Sequence, residues 1–157
     1  MASKVIGVEK WEDMVDELTF ESDWICFRAV YKGAEVIADG IREAIKNIPP
    51  ANVQPGHRRR GITDVEREGL LDTLGVAKHK TEGGKVYTHI GFDGYNSYVT
   101  DKYPMGHPNS MVARSLESGT SWLAKTPFIA PTVRRLRADA HSSMQQVIDE
   151  YIKDKEK

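Results

Sequence analysis

Two apolar stripes at helical spacing constrain this chain more than any other feature. Trp24, Phe27, Tyr31, Ala34, Ala38, Ile41, Ile45 and Ile48 recur every three or four residues, as do Val133, Leu136, Ala140, Met144, Val147 and Tyr151 further along. Each set lines one face of a long helix, and the two faces are complementary. Asp23 or Ser22 is the expected N-cap of the first helix, over residues 22–48. Pro49-Pro50 ends it, because a proline disfavours helical geometry in the residue before it. Pro131 suits the first turn of the second helix, over residues 131–153. An upstream segment, 8–18, reads as a separate short acidic helix. Its Trp11, Met14, Val15 and Leu18 suffice for docking but not for independent stability.

The intervening sequence changes character several times. Residues 49–60 hold three prolines, Gly56 and the run Arg58-Arg59-Arg60, the composition of a mobile loop. Thr63-Asp64-Val65-Glu66 matches the capping box that opens a helix, here a short one directed toward Leu70, Leu71 and Leu74. Past Gly75 the period becomes two. Leu74, Val76 and Lys78, then Val86, Thr88, Ile90 and Phe92 across Glu82-Gly83-Gly84, predict a β-hairpin over 74–92. Residues 93–108 form a long loop carrying Tyr95, Tyr98 and Tyr103; loops of that length bind something or order on assembly. Asn109 to Glu117 reads as a short helix, capped by Asn109 or Ser110 and stopped by Gly119. Two long amphipathic helices packed on a small antiparallel sheet, with long loops, make an α+β domain.

Composition narrows the function. At 157 residues the length fits a single domain with a sizeable core, and a net charge of −1 argues against a general nucleic-acid binder. The charge is unevenly placed, however. Seven acids between Glu9 and Asp23 face Lys10 alone, whereas Arg58–Arg60 and Arg134, Arg135 and Arg137 are basic clusters. The single cysteine, Cys26, lies among Trp24, Ile25 and Phe27 and reads as a buried thiol acting as a small apolar group. No apolar run approaches the roughly 18 residues of a bilayer span, and no signal-peptide core follows Met1-Ala2-Ser3-Lys4. The expectation is therefore a soluble protein in the cytoplasm where it is made, with no membrane partner.

Catalytic and metal chemistry find little footing. His57, His79, His89, His107 and His141 lack the close spacing of a zinc site, although His79 and His89 would approach each other across the hairpin. Gly84-Lys85 is no phosphate loop, since the upstream glycine and the following Ser/Thr are missing. Ser118 and Ser121 sit on no nucleophile elbow. The reading is a protein without catalytic residues, cofactor or metal; a hydrolase using His89 or His107 is the reserve. The best charged candidate is Arg58, Arg59 and Arg60, whose guanidinium groups suit phosphate contacts that track a backbone without reading bases. A solvated loop, or salt bridges to the acidic N-terminal segment of a neighbouring subunit, is the equal alternative.

The stretch from Glu117 to Pro131 is an unusually apolar connector. Gly119 supplies a turn, Pro127 and Pro131 stiffen the backbone, and Phe128 and Ile129 between them require burial. One reading is a loop that closes the domain's own core. The wording as a whole, Glu-x-Gly-Thr, a short spacer, then Pro-Phe-x-x-Pro before a terminal helix, also resembles the tail-completion or head-to-tail joining family of siphophages. That is the minor tail component family of the tenth gene product of an HK-type lambdoid coliphage. The resemblance spans roughly Ile37 to Tyr151 and is strongest in Glu117, Gly119, Thr120, Trp122, Pro127, Phe128 and Pro131. Gln54-Pro55-Gly56-His57-Arg58-Arg59 stands at the family's Thr-Gly-x-Leu-Arg turn, with His57 and Arg58 departing from its small-then-leucine pair. The segment from Phe92 to Met111 is longer than in the family.

The resemblance implies a non-enzymatic virion subunit, made in the host cytoplasm and incorporated into the neck or tail. It would form a ring with copies of itself, most often a hexamer, between a head-closure or connector protein and a tail terminator or tail tube protein. Genomic DNA would pass through the ring, with Arg58–Arg60 as its candidate phosphate contacts and Tyr95, Tyr98 and Tyr103 on an inter-subunit loop. A tail-terminator ring protein is the neighbouring alternative. A small nucleic-acid-binding domain using both arginine clusters is the alternative from another class.

Overall fold

The computed structural model describes residues 8–157, with side chains described from residue 22 onward. The fold is α+β. It comprises α1 (Val8–Asn47), α2 (Asp64–Thr73), β1 (Leu74–Val76), β2 (Lys80–Glu82), β3 (Lys85–Tyr87), β4 (Ile90–Phe92), α3 (Asn109–Ser118) and α4 (Ile129–Lys155).

The first helix is one element, not two. α1 runs unbroken through the expected cap at Ser22 and Asp23, and its 40 residues span roughly 60 Å. Residues 19–23 contain neither proline nor glycine, and extending a helix is far cheaper than nucleating a second. The docking expected of Trp11, Met14, Val15 and Leu18 concerns side chains outside those described. From Ala34 onward the stripe is buried where the spacing puts it, with Ile41, Ile45 and Ile48 at 5% exposure or less. Toward the N-terminus it shifts by a residue. Ile25 and Ala29 are buried, while Trp24 is 46% exposed beneath the Arg28 guanidinium, 4.7 Å from its ring centre. Cys26 is exposed, contrary to the expected buried thiol, because one residue of helix turns it about 100° away from Ile25.

α4 lies antiparallel along α1. A Cβ at Gly33 would come 2.7 Å from Met144, and one at Gly40 would collide with Leu136 and Thr132, so these two glycines mark where the helices approach most closely. α4 extends two residues beyond the expected range at each end, and Pro131 falls in its first turn. Only Thr132 and Ala140 of α4 are fully buried, whereas the main core gathers elsewhere. Ile41, Ile45 and Ile48 of α1 meet Ile62, Leu70, Leu74, Val112, Leu116, Leu123 and Phe128 in one cluster.

The hairpin forms with an interruption. β1 pairs with β4 (Leu74↔Phe92, Val76↔Ile90) and β2 with β3 (Lys80↔Tyr87, Glu82↔Lys85), both antiparallel. Between the two ladders, residues 77–79 oppose 88–89, a one-residue bulge. Gly83 and Gly84 both take positive φ, 56° and 73°, as a two-residue turn matched to strand twist requires. The bulge turns His79 onto α1. Its ring stacks on Phe27 at 3.7 Å, its backbone N–H donates to Tyr31 Oη (2.7 Å), and its ring Nδ1 lies 2.9 Å from the same hydroxyl. His89 packs instead against Tyr87, 5.5 Å between ring centres, so each histidine has its own aromatic neighbour. The hairpin therefore rests on α1 while α4 covers α1 from elsewhere.

α2 starts as its capping box dictates. Glu66 N–H donates to Thr63 Oγ1 (3.2 Å), and Thr63 N–H donates to Glu66 Oε2 (3.0 Å). Arg67, one residue on, closes the end of α1. Its Nη1 donates to the carbonyls of Ile45 (2.5 Å) and Lys46 (3.0 Å), and its Nη2 to that of Ile48 (2.6 Å). α3 lacks the expected side-chain cap. Pro108 occupies the capping position, and Asn109 is fully buried, its Nδ2 donating to the carbonyl of Asp93 (3.2 Å) and its N–H to that of Gly94 (3.0 Å). Gly119 ends α3 at φ 76°.

Candidate functional site

The connector, the arginine loop and the tyrosine loop form one continuous surface. Glu117, in the last turn of α3, reaches across to the start of α4 and accepts the N–H groups of Phe128 (2.8 Å), Ile129 (2.9 Å) and Ala130 (2.8 Å). These are donors that a helix start leaves without internal partners, and the helix dipole favours a negative charge there. Burial alone would raise the Glu117 pKa. The three backbone donors and the charge of Lys125 outweigh it and hold the carboxyl below its ordinary value.

Thr120 closes the bend between the two helices. Its Oγ1 accepts from Leu123 N–H (3.0 Å), and its own N–H donates to the Leu123 carbonyl (2.8 Å). Leu123 and Phe128 point into the core at 1% and 3% exposure, with Phe128 tilted against Phe92 at 6.2 Å. Trp122, Pro127 and Pro131 face outward. The connector thus closes the domain's own core, and of its aromatic residues only Trp122 is available to another molecule.

The arginine loop is tied down rather than mobile. Asn52 and Arg60 exchange backbone hydrogen bonds (2.8 and 2.9 Å) around a Gln54–His57 turn. Arg59 N–H donates to the Trp122 carbonyl (2.9 Å), and Ala124 N–H to the Arg59 carbonyl (2.8 Å), so loop and connector form a short ladder. The three arginines consequently diverge. Arg59 turns inward, its Nη2 lying 2.9 Å from both carboxylate oxygens of Glu66, with the pair only 14–16% exposed. Its guanidinium also covers Trp122, 5.2 Å from the ring centre. That pairing removes Arg59 from the candidate phosphate contacts, because its charge is already neutralised at the capping box. Arg58 spends one donor on the Thr120 carbonyl (3.2 Å) and stays exposed. Arg60 is exposed beside Asn52, Gln54 and His57, and also borders an open groove of about 840 Å³ with Pro50 and Lys125. Arg134, Arg135 and Arg137 are exposed on α4.

The 93–108 segment is organised by its own hydrogen bonds. Asn96, 5% exposed, accepts at Oδ1 from the N–H groups of Tyr98 (3.0 Å) and His107 (3.1 Å), and its own N–H donates to the His107 carbonyl (2.9 Å). A Thr100–Tyr103 turn closes the tip. This is a compact loop pinned at its base. Its tyrosines divide. Tyr95 and Tyr98 are more than half exposed, but Tyr103 packs on His107 at 4.7 Å and its hydroxyl sits 3.5 Å from Met111 Sδ.

Two adjoining cavities, about 460 and 310 Å³, open between α2, this loop and the connector and share Glu66, His107 and Trp122. Sequence reasoning missed them, since their lining comes from segments up to 63 positions apart, Arg59 to Trp122. Their one legible signal is Asn96, an amide standing between Tyr95 and Tyr98. Among the described residues no group of three or more His, Cys, Asp or Glu side chains is placed to hold a metal ion. No helix among them is long and apolar enough to cross a membrane. No protein-family model, curated protein or solved structure matches the chain.

Proposed function

We propose that this chain is a structural virion protein of a long-tailed bacteriophage, a tail-completion or neck subunit whose ring joins the head connector to the tail tube around the DNA channel. The connector carries the reading. Its Glu117, Gly119, Thr120 and Phe128, through which it resembles the tail-completion family, are those that cap, turn and anchor the start of α4. A second support is the clustering of exposed apolar side chains. Tyr95, Tyr98, Val99 and Met105 on one loop and Trp122 on the connector are all more than half exposed, an aromatic-rich composition suited to subunit contacts. Head-to-tail contacts between identical subunits close into a ring when the rotation per subunit divides the circle. In that ring Arg58 and Arg60 would meet passing DNA, and the subunit performs no reaction.

The test is genetic and structural. Deleting the gene from the genome that carries it should yield filled heads and complete tails that fail to join, and supplying the chain should restore joining. Normal particles without the chain would overturn the proposal. The exposed arginines support a second reading, a free-standing nucleic-acid-binding domain. It requires salt-dependent binding of the isolated chain to duplex DNA that falls on combined Arg58→Ala and Arg60→Ala substitution.

A further inference from the structure

α1 outruns the helix packed along it. Gly33 lies against Met144 and Ala140, and Gly40 against Leu136 and Thr132, so the two helices run residue for residue in opposite directions. At that register Lys155, the last residue of α4, falls opposite about residue 20 of α1. From Val8 to about residue 18, α1 therefore continues roughly 16 Å past the end of α4. The sequence of this projection places Trp11, Met14, Val15 and Leu18 on one helical face, with Glu12 and Glu17 about 110° to either side of it. Three turns of helix are marginal on their own, so this stripe calls for cover that α4 does not extend far enough to give.

That cover exists at the other end of the same helix. Where α1 stops, an open groove of about 840 Å³ lies between the arginine loop and the connector. Pro49, Pro50, Ala51 and Ala124 give it an apolar lining, and its only charged residues are Arg60 and Lys125. Both are exposed, and neither is ion-paired among the described residues. Arg134, Arg135 and Arg137, exposed in the first three turns of α4, add positive charge at the same end. We propose that the projecting start of α1 docks in this groove of a second copy, its apolar stripe on the prolines and alanines, with Glu12 and Glu17 set against Arg60 and Lys125. Charge decides the occupant. An apolar groove whose only charges are positive fits an acidic amphipathic helix, and every copy brings one, with five acids against one lysine between Glu9 and Glu17. Nucleic acid would match the cations but leave both the groove lining and the stripe uncovered. About 45 Å of helix separates the two surfaces, so no copy can fill its own groove. The contact is therefore heterologous, and it repeats into a ring or an open chain. It gives the ring of the proposed function its interface, and rests on that reading only for the ring's setting. Arg60 is then engaged by the neighbour, and Arg58 is left to meet DNA.

Sedimentation velocity of the full chain tests the contact. Wild type should self-associate as its concentration rises, and severalfold more weakly at raised salt. Arg60→Glu with Lys125→Glu blocks the groove, and Trp11→Asp with Leu18→Asp blocks the stripe. Each double variant should stay monomeric with unchanged helix content. Mixed together, the two retain one intact contact between them and should form a one-to-one dimer that grows no further. Adding Glu12→Arg and Glu17→Arg to the groove variant should restore assembly. A wild-type chain that stays monomeric, double variants that assemble like wild type, a mixture without dimer, or a charge exchange without rescue would each overturn the proposal. Blocked variants that still join heads to tails would overturn this contact and leave the virion reading standing. Normal particles after gene deletion would overturn that reading and leave the contact.

Discussion

Substituting Glu117 tests whether the start of α4 depends on a carboxylate donated by another helix. Glu117→Ala removes the acceptor for three N–H groups at 2.8–2.9 Å. Hydrogen bonds to a charged group contribute roughly 1.5–3 kcal/mol each, but the three share one carboxylate, and Ala130 is exposed enough for water to replace its bond. A lost N-cap costs about 0.5–2 kcal/mol where only one or two donors are involved. Together these give about 2–4 kcal/mol, which for a domain of this size lowers Tm by roughly 6–12 °C. Glu117→Gln keeps one oxygen and turns an amide toward the remaining donors, so about half that loss is expected. The pH dependence follows from the sign of the shift. The folded-state pKa lies below the ordinary value of 4.5. Stability from the ionised group is thus fully present above that value and is lost as pH falls through the folded pKa. Thermal unfolding of wild type and Glu117→Gln should therefore differ most near neutrality and converge below the ordinary carboxylate range. A difference under about 1 °C at pH 7, or an equal difference at both ends of the pH scale, would refute the capping argument.

Other positions make independent claims. Phe128→Ala empties a 3% exposed site against Phe92 and should cost about 3–5 kcal/mol in denaturant titration. Gly119→Val forces a β-branched residue to φ 76° with its Cβ 3.1 Å from the Lys125 amide nitrogen, and a loss of about 2 kcal/mol or more is expected. Gly40→Leu drives a side chain into Leu136 and Thr132 and should separate α1 from α4, lowering stability by about 1–3 kcal/mol with faster amide exchange along the seam. Arg67→Met leaves the carbonyls of Ile45, Lys46 and Ile48 without their donor, and should cost about 1–3 kcal/mol and fray the end of α1 in amide exchange.

Much of the architecture was legible because its signals are local. Apolar spacing placed both long helices. Thr63 and Glu66 announced α2 through bonds made within one turn, and Gly83-Gly84 announced the hairpin tip. The misreadings share a cause. A cap at Ser22, a buried Cys26 and a cap at Asn109 are each reasonable from the neighbouring residues, and each was overruled by something the neighbours do not encode. These were continued propagation of α1, the rotation of its buried face toward Ile25, and the burial of Asn109 under the 93–108 loop.

The candidate site divides the same way. The three arginines look equivalent as consecutive residues, yet only the fold brings Glu66 and Trp122 to Arg59 and leaves Arg58 and Arg60 outside. Glu117 reads as one more acid until α4 is laid against α3. Hydrophobic periodicity and turn chemistry are properties of nearby residues, so the apolar stripes and the hairpin tip could be read from them alone. Which charges are neutralised and which stay exposed depends on contacts between segments far apart in the chain. Those are set by how the segments pack.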